Sequence, residues 1–179
     1  MSAKQPVQQR LVAFWGVLGV MAIVLFAIVR LTPFVISALE AGLDVVQWIA
    51  FAVNIIVMAW SEGYRGFQSK FSPRVVARAL YLYRHPASLG TQLCAPLFCT
   101  GYFDACRRTK VGAWVGTTGI VILILLVHQL EQPWRGIVDA GVVVGLSWGL
   151  ISLIVMAVKT FSAGEYLVSP KVPDRYNNG

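Results

Sequence analysis

The chain has 179 residues, of which 57% are hydrophobic and 13% are charged. A typical water-soluble domain carries about 25% charged residues, so this composition indicates a membrane protein. The length accommodates several membrane-spanning helices of about 20 residues with short loops but no additional soluble domain, which excludes a kinase, a receptor or a multidomain enzyme. Lys and Arg outnumber Asp and Glu by 15 to 8, and the positions of these charges decide what the excess means.

Two apolar segments predict the first two spans. Leu11–Val29 contains 19 residues without a charge, enough at 1.5 Å per residue to cross a hydrocarbon core of about 30 Å. We place span 1 at about 11–30. Span 2 lies at about 42–61, and its N-terminal end extends back through Gly42 if Asp44 sits among the lipid headgroups. We expect Asn54 to face another helix rather than lipid.

Two further apolar segments predict spans 3 and 4, at about 111–128 and 137–158. Residues 86–103 also lack charge but are diluted by polar residues, glycine and proline. That segment either crosses the membrane, re-enters it with a kink near Pro96, or lies on it. Periodicity does not separate these alternatives.

The distribution of basic residues favours four spans. If residues 86–103 do not cross, both termini lie on one side together with 13 of the 15 Lys and Arg residues. If they cross, the distribution is eight against seven. The positive-inside rule therefore predicts four spans, cytoplasmic termini and a cytoplasmic or interfacial hairpin at 63–110. The 13 residues are Lys4, Arg10, Arg65, Lys70, Arg74, Arg78, Arg84, Arg107, Arg108, Lys110, Lys159, Lys171 and Arg175, whereas Arg30 and Arg135 fall on the other side.

The hairpin begins with a predicted amphipathic helix. Ser72 and Pro73 are typical of a helix start, and Pro86 ends the helix because the residue before a proline avoids the α conformation. Basic side chains recur on one face, which predicts an interfacial helix that anchors to anionic lipid. Two alternatives remain: this face holds a phosphate or carboxylate of a substrate or partner, or it packs inside the protein. The candidate lipid- or anion-binding residues are Arg74, Arg78, Arg84 and His85.

Two sets of glycines predict close helix packing. They recur at small-residue spacing along spans 3 and 4, and in lipid such faces let two helix backbones approach. Either spans 3 and 4 pack together through them, or the faces serve homo-oligomers or other membrane subunits. The glycines are Gly112, Gly116 and Gly119 on span 3 and Gly141, Gly145 and Gly149 on span 4.

Four acidic residues fall on the predicted outer side. Asp139 lies closest to the interior of a span, where a carboxylate suggests an ion pathway. Its position at the outer end of span 4 weakens that case, because an ordinary i, i+4 pair with Arg135 and a place near a helix N-terminus explain it. The candidate pathway residues, which together form an acidic outer mouth, are Glu40, Asp44, Glu131 and Asp139.

The cysteines and histidines do not match a metal-site pattern. Cys94, Cys99 and Cys106 fit neither a C-x-x-C pair nor a zinc knuckle, and we expect the first two to be small packing residues. Two histidines are too few for a histidine-rich site. We therefore predict no metal and no cofactor.

One short segment resembles a known enzyme family. Residues 84–90, Arg-His-Pro-Ala-Ser-Leu-Gly, are similar to the R-H-P-x-Y-x-G stretch of the isoprenylcysteine carboxyl methyltransferases, membrane enzymes that use S-adenosylmethionine. The resemblance implies a lipid-modifying site near 84–103. However, Ser88 stands where that family has tyrosine, and the paired glutamates expected downstream are absent, so we interpret the segment as a helix break.

The sequence thus predicts an all-α membrane protein with a single transmembrane domain over 1–179, in a bacterial inner membrane. Our leading hypothesis is a non-enzymatic accessory or scaffold subunit of a membrane assembly. The alternatives are a homo-oligomeric channel or transport element and, third, a lipid-modifying enzyme. The expected partners are anionic headgroups on the cytoplasmic side and either copies of the chain or other membrane subunits, but no nucleic acid.

Overall fold

The computed structural model describes residues 7–165 and 168–170, and the regular elements in this part of the chain are all helical. Lys4, Lys171 and Arg175, which entered the charge distribution above, lie outside the described residues. The helices are α1 (Val7–Glu40), α2 (Val45–Met58), a π-helical segment (Ala59–Phe71), α3 (Ser72–Arg84), α4 (Leu89–Leu93), α5 (Ala95–Thr100), α6 (Arg107–Val127) and α7 (Trp134–Ala163).

Four described helices are long and apolar enough to span a membrane: Val7–Glu40, Val45–Arg84, Arg107–Val127 and Trp134–Ala163. This confirms the predicted number of spanning helices, and the chain is a small integral membrane protein. Residues 86–103 are not among them. They form the short helices α4 and α5, which are separated at Cys94, just before Pro96.

Two helices extend beyond the spans predicted within them. Helix α1 continues past Arg30 and through Pro33 to Glu40. Proline lacks the backbone donor that would pair with the Val29 carbonyl, and membrane helices tolerate proline when nearby groups satisfy the freed backbone group. Helix α7 likewise runs beyond 137–158 at both ends.

Span 2 does not extend backward as predicted. Asp44 is the N-cap of α2: its carboxylate accepts from the Gln47 amide at 2.8 Å, and the Gln47 side chain accepts from the Asp44 amide at 3.0 Å. This reciprocal capping box fixes the helix start at Val45. Gly42, with φ of 80°, belongs to the preceding turn.

The helix of span 2 does not end at the predicted boundary with the hairpin. Helix α2 runs without a break through the π-helical segment into α3, giving 40 helical residues from Val45 to Arg84. Phe71 precedes α3 in helical conformation and provides no side-chain cap. Ser72 therefore continues a helix rather than starting one, whereas the predicted end before Pro86 is confirmed.

The described chain divides into two compact units. Unit 1 contains the residues up to Ala22, Phe71–Val115 and the residues from Leu153 onward. Helix α3 contributes five of the 13 buried core residues, and α1, α5 and α7 supply the others. The buried core residues are Ala13, Val17, Val20, Val75, Val76, Ala79, Tyr81, Leu82, Ala95, Phe98, Cys99, Leu153 and Ala157.

Unit 2 contains Ile23–Lys70 and Gly116–Ser152. The Asn54 amide donates to the Ile137 carbonyl at 2.7 Å, which confirms that this side chain faces another helix. The Gln132 amide donates to the Phe34 carbonyl at 3.2 Å. This second bond joins the segment before α7 to the C-terminal part of α1. The prediction of a single domain over 1–179 stays a prediction.

Candidate functional site

The first candidate site, in unit 1, is built around Arg78, whose residue exposure is 0%. Its Nε donates to the Phe98 carbonyl at 2.6 Å and its Nη1 to the Pro170 carbonyl at 3.1 Å. Its Nη2 donates to the carbonyls of Phe103 and Asp104, both at 3.0 Å. The guanidinium carbon lies 4.0 Å from the centre of the Phe98 ring. One charged side chain thus joins α3 to α5, to the loop after it and to the C-terminal segment.

This arrangement corrects the predicted exposed basic helix. Ten of the 13 residues of α3 are buried, including Arg78. The periodicity of its basic residues suggested a surface helix, but the guanidinium satisfies its donors on backbone carbonyls inside the protein. Of the alternatives above, internal packing fits Arg78, because this side chain presents no exposed surface to a lipid or substrate.

Two of the other predicted anion-binding residues, Arg84 and His85, have partners other than Arg78, whereas the charge of Arg74 acts on Arg78. Arg84 Nη2 donates to the Gly164 carbonyl at the end of α7. The His85 ring stacks on Tyr81 with 4.2 Å between ring centres, and its Nδ1 lies 3.1 Å from the Tyr81 carbonyl oxygen. Arg74 is half-buried. Binding of an anion by Arg74, Arg84 or His85 stays a prediction.

A glycine forms the turn between α5 and the Phe103 and Asp104 carbonyls, which accept from Arg78. Gly101 ends α5 with φ of 95°, and its amide donates to the Phe98 carbonyl at 3.0 Å. A Cβ atom at this position would lie 2.8 Å from Thr109 Cγ2. Glycine is therefore required here both for its positive φ and for the close approach of α6.

Two cysteines predicted to have the same role differ in the structure. Cys99 is buried, as expected, whereas Cys94 is exposed. Burial raises the pKa of the Cys99 thiol to about 12, although the Arg78 guanidinium acts in the opposite direction. The expectation rested on the tendency of free cysteine to be buried, and it is wrong for Cys94, which lies at the break between α4 and α5.

Two glycines of α1, Gly16 and Gly19, help to position α5. They are not among the residues predicted from the sequence. A Cβ atom on Gly16 would lie 2.7 Å from the Cys99 sulfur, and one on Gly19 would lie 3.0 Å from Pro96 Cβ. These two glycines of α1 let α5 approach its backbone closely. The spacing of three residues between these small residues is the sequence pattern that could have indicated this close contact.

The second candidate site is a buried ion pair in unit 2. Asp139 has a residue exposure of 4%, and its Oδ2 lies 3.8 Å from Arg135 Nε, which confirms the i, i+4 pairing. At that distance neither atom has a hydrogen-bond partner. The Arg135 guanidinium carbon lies 3.8 Å from the centre of the Phe34 ring. The arginine therefore lies between a carboxylate and an aromatic face.

The other predicted pathway acids have different settings. Asp44 caps α2, Glu40 is the last residue of α1, and Glu131 precedes α7; all three are exposed, in contrast to Asp139. Among the described residues there is no group of three or more His, Cys, Asp or Glu side chains able to hold a metal ion. An ion pathway through these acids stays a prediction.

The two glycine faces have different surroundings. A Cβ atom on Gly145 would lie 2.9 Å from Glu62 Cβ, and one on Gly149 would lie 3.0 Å from Phe67 Cβ. The glycines of α7 therefore pack against α2 and the π-helical segment, not against α6. The predicted packing of spans 3 and 4 through their glycines is wrong. On α6, Cβ atoms at Gly112, Gly116 and Gly119 would meet no other atom within 4 Å.

Comparison of the chain with models of known protein families, with curated proteins and with solved structures found no match.

Proposed function

We propose that this integral membrane protein is a non-enzymatic accessory or scaffold subunit of a membrane assembly, and that α6 is the helix that contacts another membrane subunit. The observation that carries this proposal is the open small-residue face at Gly112, Gly116 and Gly119. Only Thr109 of the 21 residues of α6 is buried.

The contrast with α7 supports a protein partner. In lipid, small residues favour helix association because they let backbones approach and increase van der Waals contact. The glycines of α7 achieve this inside the chain. Those of α6 have the same character but no neighbour, and contact with lipid alone needs no row of small residues.

Charge favours a different subunit over a second copy of this chain. The first turn of α6 carries Arg107, Arg108 and Lys110, all exposed. Copies inserted in one orientation would bring these cations together in an α6–α6 pair, and like charges repel. A partner helix with acidic residues at that end fits better.

Native mass spectrometry of the chain extracted in mild detergent tests the proposal. We expect a heteromeric assembly that Gly116→Leu disrupts, because leucine fills the face on which the partner helix packs. Val121→Leu is the matched control: by the 100° rotation per helical residue it lies on the opposite side of α6, and Val121 is also exposed. A parent protein that carries no other subunit, or an assembly unaffected by Gly116→Leu, would contradict the proposal.

A channel or transport element is the second candidate, and the buried Asp139 is the observation that favours it. A carboxylate inside a spanning helix that lacks a hydrogen bond at one oxygen is a reason to test ion movement. Asp139→Asn should reduce ion flux in liposomes that show flux with the parent protein, while Glu131→Gln, at an exposed position, should reduce it less. Unchanged flux in Asp139→Asn would remove this residue from any pathway.

A further inference from the structure

Helices α4 and α5 leave three large apolar side chains uncovered. Leu89, Leu93 and Leu97 have exposed fractions of 75%, 77% and 46%. They recur every four residues, and the Phe98 amide donates to the Cys94 carbonyl at 2.9 Å, so the helical repeat continues across the break between the two helices. Residues four apart in a helix lie on the same side. The three leucines therefore form one exposed face, the leucine face.

The opposite face of the same segment packs inside unit 1. Thr91, Ala95, Phe98 and Cys99 are buried. The whole of residues 86–103 lacks charged side chains. Contiguous exposed apolar side chains are unfavourable in water and mark a surface that contacts a membrane or another protein. The leucine face therefore requires an apolar environment outside the described chain.

Contacts with α1 give the depth of this segment. Trp15 Nε1 donates to the Leu93 carbonyl at 3.1 Å, and a Cβ atom on Gly19 would lie 3.0 Å from Pro96 Cβ. Arg10 marks the polar end of span 1, and Trp15 and Gly19 follow it by five and nine residues. At 1.5 Å per residue they lie about 8 Å and about 14 Å from Arg10 along the helix axis. Half of a hydrocarbon core is about 15 Å thick, so these contacts fall within one leaflet.

The leucine face adjoins a surface that lipid covers. Leu11, Trp15 and Leu18 share one face of α1 and are all exposed. Helix α1 is one of the four helices able to span a membrane, and the exposed apolar face of such a helix contacts acyl chains. Because Trp15 is bonded to the Leu93 carbonyl, acyl chains that cover this face of α1 also reach Leu93.

Aromatic side chains flank the segment on both sides. Trp15 lies on the side of α1. On the side of α6, the Trp114 ring lies 5.4 Å from the ring of Tyr102, which follows α5, and Trp114 is 59% exposed. Trp and Tyr are enriched where acyl chains meet headgroups. Their positions favour a bilayer boundary over water as the environment of α4 and α5.

We propose that α4 and α5 insert into one leaflet of the bilayer, and that the acyl chains of that leaflet cover Leu89, Leu93 and Leu97. The segment enters from the side of Arg10 and returns to it before the three basic residues in the first turn of α6. The lipid contact of this region therefore belongs to α4 and α5 and not to the buried helix α3. This inference does not depend on the accessory-subunit proposal, which concerns the glycine face of α6.

Carbene labelling of the unmodified chain in liposomes tests this placement. The lipids carry a photoactivated diazirine either near the top of the acyl chain or at its end, and peptide mass spectrometry locates the adducts. Because an apolar face at the headgroup boundary lies about 5–10 Å deep, we expect the upper probe to label Leu89 and Leu93 at least about threefold more than the terminal probe does. Ile120, which is exposed in the middle third of α6, is the control and should show the opposite preference.

A fluorescent label identifies what covers the leucine face. Nitrobenzoxadiazole attached at Leu93→Cys, in a chain without native cysteines, should emit at shorter wavelength than the same dye at Arg108→Cys. A nitroxide on the upper acyl chain should quench the first dye more strongly. Shifted emission without adducts or quenching would assign the face to a protein contact and overturn the proposal.

The labelling experiment remains decisive if the cysteine-free chain folds poorly, because it uses the unmodified protein. Absence of adducts at Leu89 and Leu93 would show that acyl chains do not reach the leucine face and would overturn the proposal. Equal labelling of these leucines by the terminal probe would place the segment at the bilayer centre and overturn the assignment to one leaflet.

Discussion

A buried guanidinium retains its charge, so its stability inside a protein depends on how many acceptors surround it. Arg78 has four backbone carbonyls as acceptors and an aromatic ring beside it. These carbonyls belong to α5, to the loop after it and to the C-terminal segment, and α3 also meets α5 through buried apolar side chains. At the scale of one residue, Arg78 therefore adds polar contacts to the apolar packing that attaches α5 to α3.

Replacing Arg78 by alanine should destabilise the protein strongly. The change leaves four carbonyl oxygens without this donor and creates a void in the core of unit 1. We expect these effects together to lower the free energy of unfolding by about 3 kcal/mol or more. Thermal unfolding in detergent micelles measures the effect. Arg108→Ala, which removes an exposed cation, is the control and should have little effect. Equal unfolding temperatures for Arg78→Ala and the parent protein would show that the buried contacts do not stabilise the fold.

The cysteines should differ in reactivity by a large factor. Thiolate is the nucleophile, and with a pKa of about 12 only about 10⁻⁴ of Cys99 is thiolate at pH 8. Burial blocks access as well. Alkylation at pH 8 followed by peptide mass spectrometry should therefore find Cys94 modified and Cys99 unmodified until the protein is unfolded. Labelling of both at similar rates in the folded protein would contradict the structure.

At the scale of elements, the glycines show what periodicity predicts and what it omits. The spacing of Gly141, Gly145 and Gly149 correctly indicated a close helix contact. It did not indicate the neighbour, because a small-residue face accepts any helix of suitable shape. Helix α2 and the π-helical segment occupy that place.

The two glycine faces should respond differently to alanine. In Gly149→Ala the added methyl group meets Phe67, which we expect to cost about 1–3 kcal/mol. In Gly116→Ala the methyl group meets no atom, and alanine's higher helix propensity should leave stability unchanged or raise it by up to about 1 kcal/mol. Thermal unfolding of the purified chain distinguishes these outcomes. Equal losses would place a neighbour on the α6 face within the chain itself.

Helix α3 shows why its environment was predicted incorrectly. Arg74, Arg78 and His85 fall on one face, and such periodicity usually marks contact with water or headgroups. Here the helix packs among α1, α5 and α7, and the charge of its most buried cation is stabilised by backbone carbonyl dipoles rather than by solvent. A pattern of charged residues records their spacing, but it does not record which carbonyls will reach them.

At the scale of the whole molecule, four described helices are long and apolar enough to span a membrane, and the side on which each end lies is a prediction from charge. A cysteine introduced at Arg108 and one at Gln129 would flank α6 at opposite ends. In a chain without native cysteines, an impermeant thiol reagent added outside intact cells should label Gln129→Cys and not Arg108→Cys. The reverse pattern would invert the orientation, and labelling of both would show that α6 does not cross the membrane.

The sequence by itself determined the membrane class, the four long apolar helices, the end of α3 before Pro86 and the pairing of Arg135 with Asp139. These features depend on local composition, on proline geometry or on residues four positions apart. Only the tertiary structure decided that α3 is buried, that the glycines of α7 contact α2 and the π-helical segment, and that α5 lies against Gly16 and Gly19 of α1. Each of these depends on residues distant in the chain, because burial and close backbone approach arise only when such segments meet.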